Sequence, residues 1–259
     1  MVSKNEINFI VSLQKKKIRD EQRLFVIEGD KLVKEYLSAR VRIKQLVAKP
    51  EFLNSLPLFL KKGIEEIIPA SYEELKKIST LKTPHNALAV VEMPENAPDL
   101  SDLKKGLTVA LDCVQDPGNL GTIIRAAAWF GLINIYCSPD CVDVYNPKVI
   151  QASMGATLQV KVFYTSLKEI LAKAIAMNLP VYGAVLDGES IYSSRLADRG
   201  IILLGNESKG ISDELLQVVT DKIAIPRLAD STPGIDSLNV SMAASVIFSE
   251  FTRSRGRQL

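Results

Sequence analysis

The chain has 259 residues, of which 47% are hydrophobic and 24% are charged. A chain of this length can bury one large hydrophobic core or two smaller ones. The formal net charge of +2 excludes a molecule that is basic throughout. Its three cysteines, Cys113, Cys137 and Cys141, have neither the even number of a disulfide framework nor the paired spacing of metal ligands, so we expect inert thiols and no metal site.

The N-terminal third alternates short apolar runs with amphipathic segments. Helices are predicted over residues 6–18, 31–37 and 51–60 and after the capping box formed by Ser71 and Glu74, and strands over residues 24–27, 43–47, 67–69 and 87–91. These elements make a small α/β domain of residues 1–95. Residues 1–50 hold 12 Lys and Arg against 6 Asp and Glu. A basic stretch suits a polyanion such as RNA, and an ordinary solvated surface explains it equally well.

Two prolines, Pro94 and Pro98, predict a linker, which we place at residues 96–106. Strands then alternate with helices through a second domain of residues 107–259. Strands are predicted over residues 107–111, 133–137, 160–163, 181–185, 201–204 and 221–225, and helices over residues 122–130, 147–152, 166–177, 214–218 and 238–253. Continuously apolar strands separated by helices predict an α/β fold with a parallel sheet that is covered on both faces.

A first polar block follows the strand at 107–111. We expect Asn119 and Gly121 in the loop before a helix and Arg125 one turn inside that helix, where loop amides and a guanidinium suit a phosphate. An Arg125 that pairs with an acid such as Glu207 is an equal alternative. The block has neither Gly-Lys-Ser/Thr nor a full Gly-x-Gly-x-x-Gly, which disfavours an ATP- or NAD-binding enzyme.

Two further blocks lie where apolar runs stop. Gly205 and Glu207 end the strand at 201–204, and a glycine there lets the backbone approach a ligand closely. Ser237 and Asn239 open the last helix. Taken singly, Glu207 reads as a solvated acid in a turn and Ser237 and Asn239 read as ordinary N-caps.

In this order and spacing, the blocks resemble the SpoU (TrmH) family of S-adenosylmethionine-dependent RNA ribose 2′-O-methyltransferases. The motifs are Asn119-x-Gly121-x-x-x-Arg125, Gly205-Asn206-Glu207 and Ser237-Leu238-Asn239-Val240-Ser241, and the resemblance covers about residues 109–252. It implies a C-terminal, trefoil-knotted parallel-sheet methyltransferase domain, a small N-terminal RNA-binding domain like that of a ribosomal protein, and a homodimer formed through the methyltransferase domain. The implied cofactor is S-adenosylmethionine.

The resemblance also assigns individual positions. It implies catalytic residues at Arg125, Asn119, Glu207, Ser237 and Asn239, and cofactor contacts at Ala184, Leu204, Gly205, Ile225 and Leu238. RNA contacts are expected at Lys15, Lys16, Lys17, Arg19, Arg23 and Lys148. In the family Arg125 acts either as a general base or by gripping a phosphate, and a guanidinium that stays protonated makes the base role demanding. The stretch 227–236 is longer than the family pattern, with Arg227 in place of a usual methionine.

The expected function is methyl transfer to a ribose 2′-hydroxyl of RNA, with ribosomal RNA favoured over transfer RNA because an added N-terminal RNA-binding domain is typical of the family's rRNA-directed members. The alternative is a non-catalytic RNA-binding or ribosome-assembly protein that retains the fold. The single histidine, His85, lies in a turn-like stretch, and we expect a surface loop residue. Without a signal peptide or a membrane span in the sequence, we expect a cytoplasmic protein.

Overall fold

The structure, a computed structural model, describes residues 1–95, 97–228 and 237–256, with side chains described as far as Arg253. The chain forms two compact units. The first contains Met1–Glu95 and Asp143–Leu158, and the second contains the described residues from 97 to 142 and from 159 to 256. The units differ from the predicted domains in one segment, since residues 143–158 pack with the first unit and not with the second. The unusually long stretch 227–236 lies outside the described residues from 229 onward.

The first unit is a four-stranded sheet with helices. Its elements before residue 95 are α1 (Lys4–Ser12), α2 (Lys16–Gln22), β1 (Leu24–Glu28), α3 (Asp30–Ser38), β2 (Ile43–Ala48), α4 (Pro50–Ser55), α5 (Leu58–Lys61), β3 (Ile64–Pro69), α6 (Tyr72–Ile78) and β4 (Ala87–Glu92). The strand order is β1-β4-β2-β3, with β2 and β3 parallel and the other pairs antiparallel. The predicted capping box at Ser71 and Glu74 is confirmed. The predicted helix 51–60 is interrupted at Pro57, which has no N–H to continue it.

The second unit is built on a six-stranded sheet, and all of its strand pairs are parallel. From residue 97 the elements are a 3₁₀ turn (Leu100–Lys104), β5 (Leu107–Leu111), α7 (Pro117–Trp129), β6 (Asn134–Cys137), α8 (Pro147–Ser153) of the first unit, a second 3₁₀ turn (Ala156–Leu158), β7 (Lys161–Tyr164), α9 (Leu167–Ala176), β8 (Val181–Ser190), β9 (Gly200–Leu204), α10 (Asp213–Leu216), β10 (Asp221–Ala224) and α11 (Val240–Gly256). The central strands β5 and β9 are buried at every residue, which confirms the prediction of a covered parallel sheet.

Specific side-chain contacts hold residues 143–158 in the first unit. The Phe25 and Tyr145 rings lie with centroids 4.6 Å apart, and the Tyr36 hydroxyl is 2.7 Å from the Thr157 hydroxyl. Ile150, which is 1% exposed, belongs to the apolar core that the first unit builds around its sheet. These partners are more than a hundred residues apart in sequence, so no local pattern could reveal them.

The strand order of the second unit, β10-β8-β9-β5-β6-β7, locates its ligand-binding edge. From β5 the chain first moves outward through β6 and β7 and then returns to place β8 and β9 on the other side. In open parallel sheets, ligands bind outside the carboxyl ends of the strands where the order reverses. The loops after β5 and β9 meet at this point. Among the described residues, no helix combines the length and the apolar character that a membrane span needs.

Candidate active site

The helix after β5 starts earlier than its sequence suggested. The Asp116 side chain accepts a 2.8 Å hydrogen bond from the Asn119 N–H, and Pro117 takes the first helical position, where its missing N–H costs nothing. Asn119 and Gly121 therefore lie in the first two turns of α7 and not in a preceding loop. Arg125 lies deeper in the helix than one turn. The prediction that loop amides of this block bind a phosphate is therefore wrong, because the block is helical and most of its N–H groups form hydrogen bonds within or at the start of α7.

A tight turn follows β9. The Asn206 N–H donates to the Gly210 carbonyl at 2.9 Å, and the Gly210 N–H donates to the Asn206 carbonyl at 3.0 Å. A Cβ on Gly205 would come 2.1 Å from the carbonyl carbon of Gly210. Because that atom belongs to the backbone, the clash cannot be relieved by the movement of a side chain. Only glycine fits at position 205, since the turn folds directly against it. This close approach is the physical reason for the glycine that the sequence shows at the strand end.

A chain of side-chain hydrogen bonds joins the three sequence blocks. The Asn119 Nδ2 donates to Glu207 Oε1 at 2.9 Å, and the Asn239 Nδ2 donates to Asn119 Oδ1 at 2.9 Å. Asn239 also precedes α11 and accepts from the Ser241 N–H at 2.9 Å and the Ser241 hydroxyl at 2.6 Å, as an N-cap residue does. The structure thus brings together three of the five predicted catalytic residues, contributed by α7, by the turn after β9 and by the start of α11.

Arg125 takes no part in this series of hydrogen bonds. Its side chain is exposed and makes no hydrogen bond or ion pair within the described part of the chain. The Glu207 carboxylate, the alternative partner, instead accepts from Asn119 on one oxygen and from Asn206 at 3.3 Å on the other. A guanidinium that serves no internal pair is available to an anionic ligand, and its planar fork suits a phosphate.

A cavity of about 410 Å³ lies beside the chain of hydrogen bonds. All five predicted cofactor-contact residues line it, and so do two of the predicted catalytic residues: Ala184, Leu204, Gly205, Ile225, Leu238, Glu207 and Ser237. Its walls are mainly apolar, with Leu216, Ile223 and Ile247 among them. Among the described residues, its charged lining groups are Asp187, Glu207 and Lys209. Apolar walls with a few converging polar groups are typical of small-molecule sites.

The cavity residues fit S-adenosylmethionine. Ile225 and Leu238 offer apolar surface to an adenine ring, and the cradle at Gly205 admits a ligand against bare backbone. Asp187 and Glu207 supply negative charge in a cavity that would receive a sulfonium and an ammonium group. Among the described residues, no group of three or more His, Cys, Asp or Glu side chains is arranged to hold a metal ion.

Asn206 is the residue of this site to which the sequence assigned no role. Its Nδ2 donates to the Cys113 carbonyl at 2.7 Å, and its Oδ1 accepts from the Ser208 and Lys209 N–H groups at 3.0 Å each. Cys113 follows β5 with a φ of 56°, a left-handed conformation that non-glycine residues seldom adopt. The available signal was an asparagine between a glycine and a glutamate at a strand end, where local side-chain to backbone bonds are common.

The basic residues of the first unit divide into two groups. Five of the six predicted RNA contacts are exposed: Lys15, Lys16, Lys17, Arg23 and Lys148. Arg19 is 2% exposed and forms an ion pair with Asp143, and it also donates to the Leu13 and Gln14 carbonyls at 2.9 and 2.8 Å. This burial corrects the expectation that Arg19 contacts RNA. The periodicity around a lysine cluster cannot show that one member of it turns inward.

The three cysteines are free thiols. Cys137 and Cys141 are buried, and a hydrogen bond from Cys137 lowers the pKa of Cys141 to about 7, while the same bond and burial raise the pKa of Cys137. Burial raises the pKa of the less buried Cys113 thiol. Cys113 therefore contributes to the site through its carbonyl group, which accepts the bond from Asn206.

Comparisons with known proteins agree with this geometry. A sequence profile of the SpoU rRNA Methylase family matches residues 106–249, and a profile of the MRM3-like substrate binding domain matches residues 4–89. The chain is 30% identical over 236 residues to the 23S rRNA (guanosine(2553)-2'-O)-methyltransferase RlmP of Bacillus subtilis, and the match covers 91% of each chain.

Two solved structures share the fold over almost their whole length. A TrmH-family protein from Porphyromonas gingivalis aligns with a TM-score of 0.85 at 38% identity, covering 98% of this chain and 99% of its own. The AdoMet-bound rRNA methyltransferase from Sinorhizobium meliloti aligns with a TM-score of 0.84 at 25% identity, covering 98% and 97%. The first profile alone spans more than half of the sequence. The resemblance seen in the three motifs is confirmed, and the chain belongs to the SpoU rRNA methylase family.

Proposed function

We propose that this protein transfers a methyl group from S-adenosylmethionine to a ribose 2′-hydroxyl of ribosomal RNA. The observation that carries the proposal is the chain Asn239–Asn119–Glu207, which joins three distant segments at the edge of the cavity. Relatives of this protein support the proposed reaction. The Bacillus subtilis relative is named as a 2'-O-methyltransferase of 23S rRNA, and the Sinorhizobium meliloti structure is AdoMet-bound.

The residues at this edge divide the work of the reaction. S-adenosylmethionine, when bound, supplies an electrophilic methyl group. The cavity walls at Leu204, Gly205 and Leu238 hold the cofactor, and the fixed Glu207 carboxylate provides a hydrogen-bond acceptor beside it. Arg125 binds a phosphate next to the target ribose and so places the hydroxyl in line, because its guanidinium has no internal partner in the described chain. Ser237, exposed at the cavity, contacts the nucleotide.

The first unit recognises the RNA outside the target nucleotide. Lys15, Lys16, Lys17 and Arg23 are exposed around α2, and Lys148 is exposed at the start of α8, so these residues supply positive charge for phosphate contacts. The match of residues 4–89 to a substrate-binding profile supports this role. We assign residues 1–95 to this domain, residues 96–106 to the linker and residues 107–259 to the methyltransferase domain, with α8 and its flanks packed in the first unit.

The protein acts as a homodimer through its second unit. Trp129 at the end of α7 is 85% exposed and Met242 near the start of α11 is 63% exposed, although α7 and α11 pack against each other. Large apolar side chains left in solvent on packed helices suit a second copy of the chain. Ile247 and Phe251 of α11 are buried in the unit itself. Replacement of Trp129 by Glu is expected to give monomers in sedimentation analysis, and an unchanged dimer would contradict this interface.

From the family we also infer that the second unit contains a trefoil knot and that the first unit has a fold like that of a ribosomal protein. A cytoplasmic location agrees with ribosomal RNA as substrate.

Cofactor and substrate are tested with one preparation. Thermal unfolding is compared in the presence of S-adenosylmethionine, NAD and ATP, since a ligand that binds the folded state raises the midpoint. Labelled methyl transfer is then measured on unmodified ribosomal and transfer RNA pools. We expect stabilisation by S-adenosylmethionine alone and label in ribosomal RNA. Label in transfer RNA would show that transfer RNA, and not ribosomal RNA, is the substrate. Binding to RNA with no cofactor binding would favour a non-catalytic RNA-binding protein.

A further inference from the structure

The Asn206 side chain uses all of its hydrogen-bonding capacity. An asparagine amide has two N–H donors and two acceptor lone pairs. The donors reach the Cys113 carbonyl at 2.7 Å and Glu207 Oε2 at 3.3 Å, and the acceptor receives the Ser208 and Lys209 N–H groups at 3.0 Å each. A side chain that is only half buried and still fully bonded has its orientation fixed by the protein.

The two ends of this amide act on different parts of the site. The Oδ1 end closes the turn after β9 on itself, together with the pair of backbone bonds between Asn206 and Gly210. The Nδ2 end reaches outside the turn, to the segment that follows β5 and to the Glu207 carboxylate. The first function would be met by any acceptor of the same shape. The second requires an N–H donor.

We propose that Asn206 is a positioning residue for Glu207. The carboxylate is held between two amides, Asn119 on Oε1 and Asn206 on Oε2, and Asn206 is itself tied to the Cys113 carbonyl. This arrangement locks the carboxylate plane relative to β5 and α7, and so aims its remaining lone pairs at the substrate side of the cavity. The inference rests on the proposed methyl transfer for its kinetic consequence, and on the geometry alone for its structural consequence.

The substitution Asn206→Asp separates the two functions. Aspartate keeps an acceptor for the Ser208 and Lys209 N–H groups, so the turn and the Gly205 cradle persist. It has no donor for Cys113 or Glu207, and its carboxylate repels that of Glu207. We expect affinity for S-adenosylmethionine, measured by calorimetry, to stay within about threefold, and kcat for methyl transfer to fall by at least about 100-fold, in the range found when one oriented hydrogen bond is lost from an active site. A purely structural turn residue would lose cofactor affinity and kcat together or lose neither.

A double-mutant cycle with Glu207→Gln shows whether Asn206 acts through the carboxylate. In the Glu207→Gln background, whose residual single-turnover rate is followed over hours, Asn206→Asp is expected to lower the rate by less than about threefold, because the group it positions has already been changed. An equal loss in both backgrounds would overturn the proposal, and so would an Asn206→Asp variant with the kcat of the parent protein.

A crystal structure of the Asn206→Asp variant supplies a readout that does not depend on activity. We expect the turn from Gly205 to Gly210 to keep its backbone path while the Glu207 carboxylate leaves its position beside Asn119. A carboxylate that stays in place would overturn the proposal even if the variant were inactive. If the parent protein proved unable to methylate RNA, the proposed function would fail, and this structural comparison would still decide whether Asn206 positions Glu207.

Discussion

Asn119 donates a 2.9 Å hydrogen bond to Glu207, although 88 residues separate them in the chain. Asn119 lies in the first turn of α7 and Glu207 in the turn after β9, and the adjacent parallel strands β5 and β9 place these two segments at the same sheet edge. The bond turns two separate sequence motifs into one site. Its disruption should therefore affect the reaction more than the fold.

The substitution Asn119→Asp tests this bond. The new carboxylate still accepts from Asn239 Nδ2 but faces the Glu207 carboxylate without a donor, so the two groups repel each other. We expect kcat for methyl transfer to fall roughly 100-fold with little change in the thermal midpoint. Asn178→Asp, in an exposed turn after α9, is the matched control and should keep the parental rate. An active Asn119→Asp variant would contradict a role for this bond.

The substitution Arg125→Ala separates substrate positioning from cofactor binding. Arg125 does not line the cavity, whereas Gly205, Ile225 and Leu238 do. We expect methyl transfer to be abolished and the dissociation constant for S-adenosylmethionine to change by no more than about threefold, or less than about 0.7 kcal/mol. Arg199→Ala removes another exposed guanidinium from the same unit and should be neutral. Loss of cofactor binding by folded Arg125→Ala would show that Arg125 serves the cofactor.

The substitution Gly205→Ala tests the cradle at the end of β9. A methyl group there meets the Gly210 backbone at 2.1 Å, so the turn has to open and the cavity wall moves. We expect affinity for S-adenosylmethionine to fall at least about tenfold, which is about 1.4 kcal/mol. Gly63→Ala is the control, because no atom lies within 4 Å of a Cβ at that position. Isothermal calorimetry on both variants measures the difference, and equal affinities would rule out the cradle.

The substitution Arg19→Ala distinguishes a structural arginine from RNA-binding ones. It leaves the Asp143 carboxylate without its buried partner, and such a loss costs about 3–5 kcal/mol. We expect a large fall in the midpoint of urea unfolding of the first unit. Lys16→Ala, at an exposed position of the same helix, should leave stability unchanged and weaken RNA binding. A stable Arg19→Ala variant with weakened RNA binding would instead show that Arg19 contacts RNA.

The capping box of α6 predicts a pH dependence. Hydrogen bonds from the Ser71 N–H and then the Val2 N–H lower the pKa of Glu74 below its ordinary 4.5. A lowered pKa in the folded state stabilises the protein above the unfolded-state pKa, and this contribution disappears as the pH falls through the folded-state value. Glu74→Gln should therefore lower the unfolding midpoint above the ordinary pKa of 4.5 and lose this effect as the pH falls through the lower folded-state pKa. A difference that persists in acid would contradict this linkage.

Local patterns predicted most elements of the fold but not their ends. The apolar run Leu107–Leu111 and the capping box at Ser71 depend on neighbouring residues, so their sequence signals were sufficient. The sequence alone places the start of α7 too late, because Asp116 and Pro117 are as typical of a turn as of a helix start. The motifs predict which residues form the site, and the structure shows that three of them, Asn119, Glu207 and Asn239, are joined by hydrogen bonds.

Long-range pairing explains what the sequence could not show. Arg19 looks like one more exposed base in a cluster, and only its pairing with Asp143, 124 residues away, reveals that it is buried. Residues 143–158 could not be assigned to the first unit from the sequence for the same reason, because their contacts with that unit are also more than a hundred residues away. Asn206 belongs to the motif Gly205-Asn206-Glu207, but the partners that define its role, Cys113 and Glu207, lie on two separate segments.

We propose that the site formed by α7, the turn after β9 and the start of α11 methylates a ribose of RNA. The most direct measurement is mass spectrometry of nucleosides from unmodified ribosomal RNA incubated with the protein and methyl-labelled S-adenosylmethionine, with Asn119→Asp in parallel. We expect a labelled 2′-O-methylnucleoside with the parent protein and almost none with the variant. Label on a base, or equal label with both proteins, would contradict it.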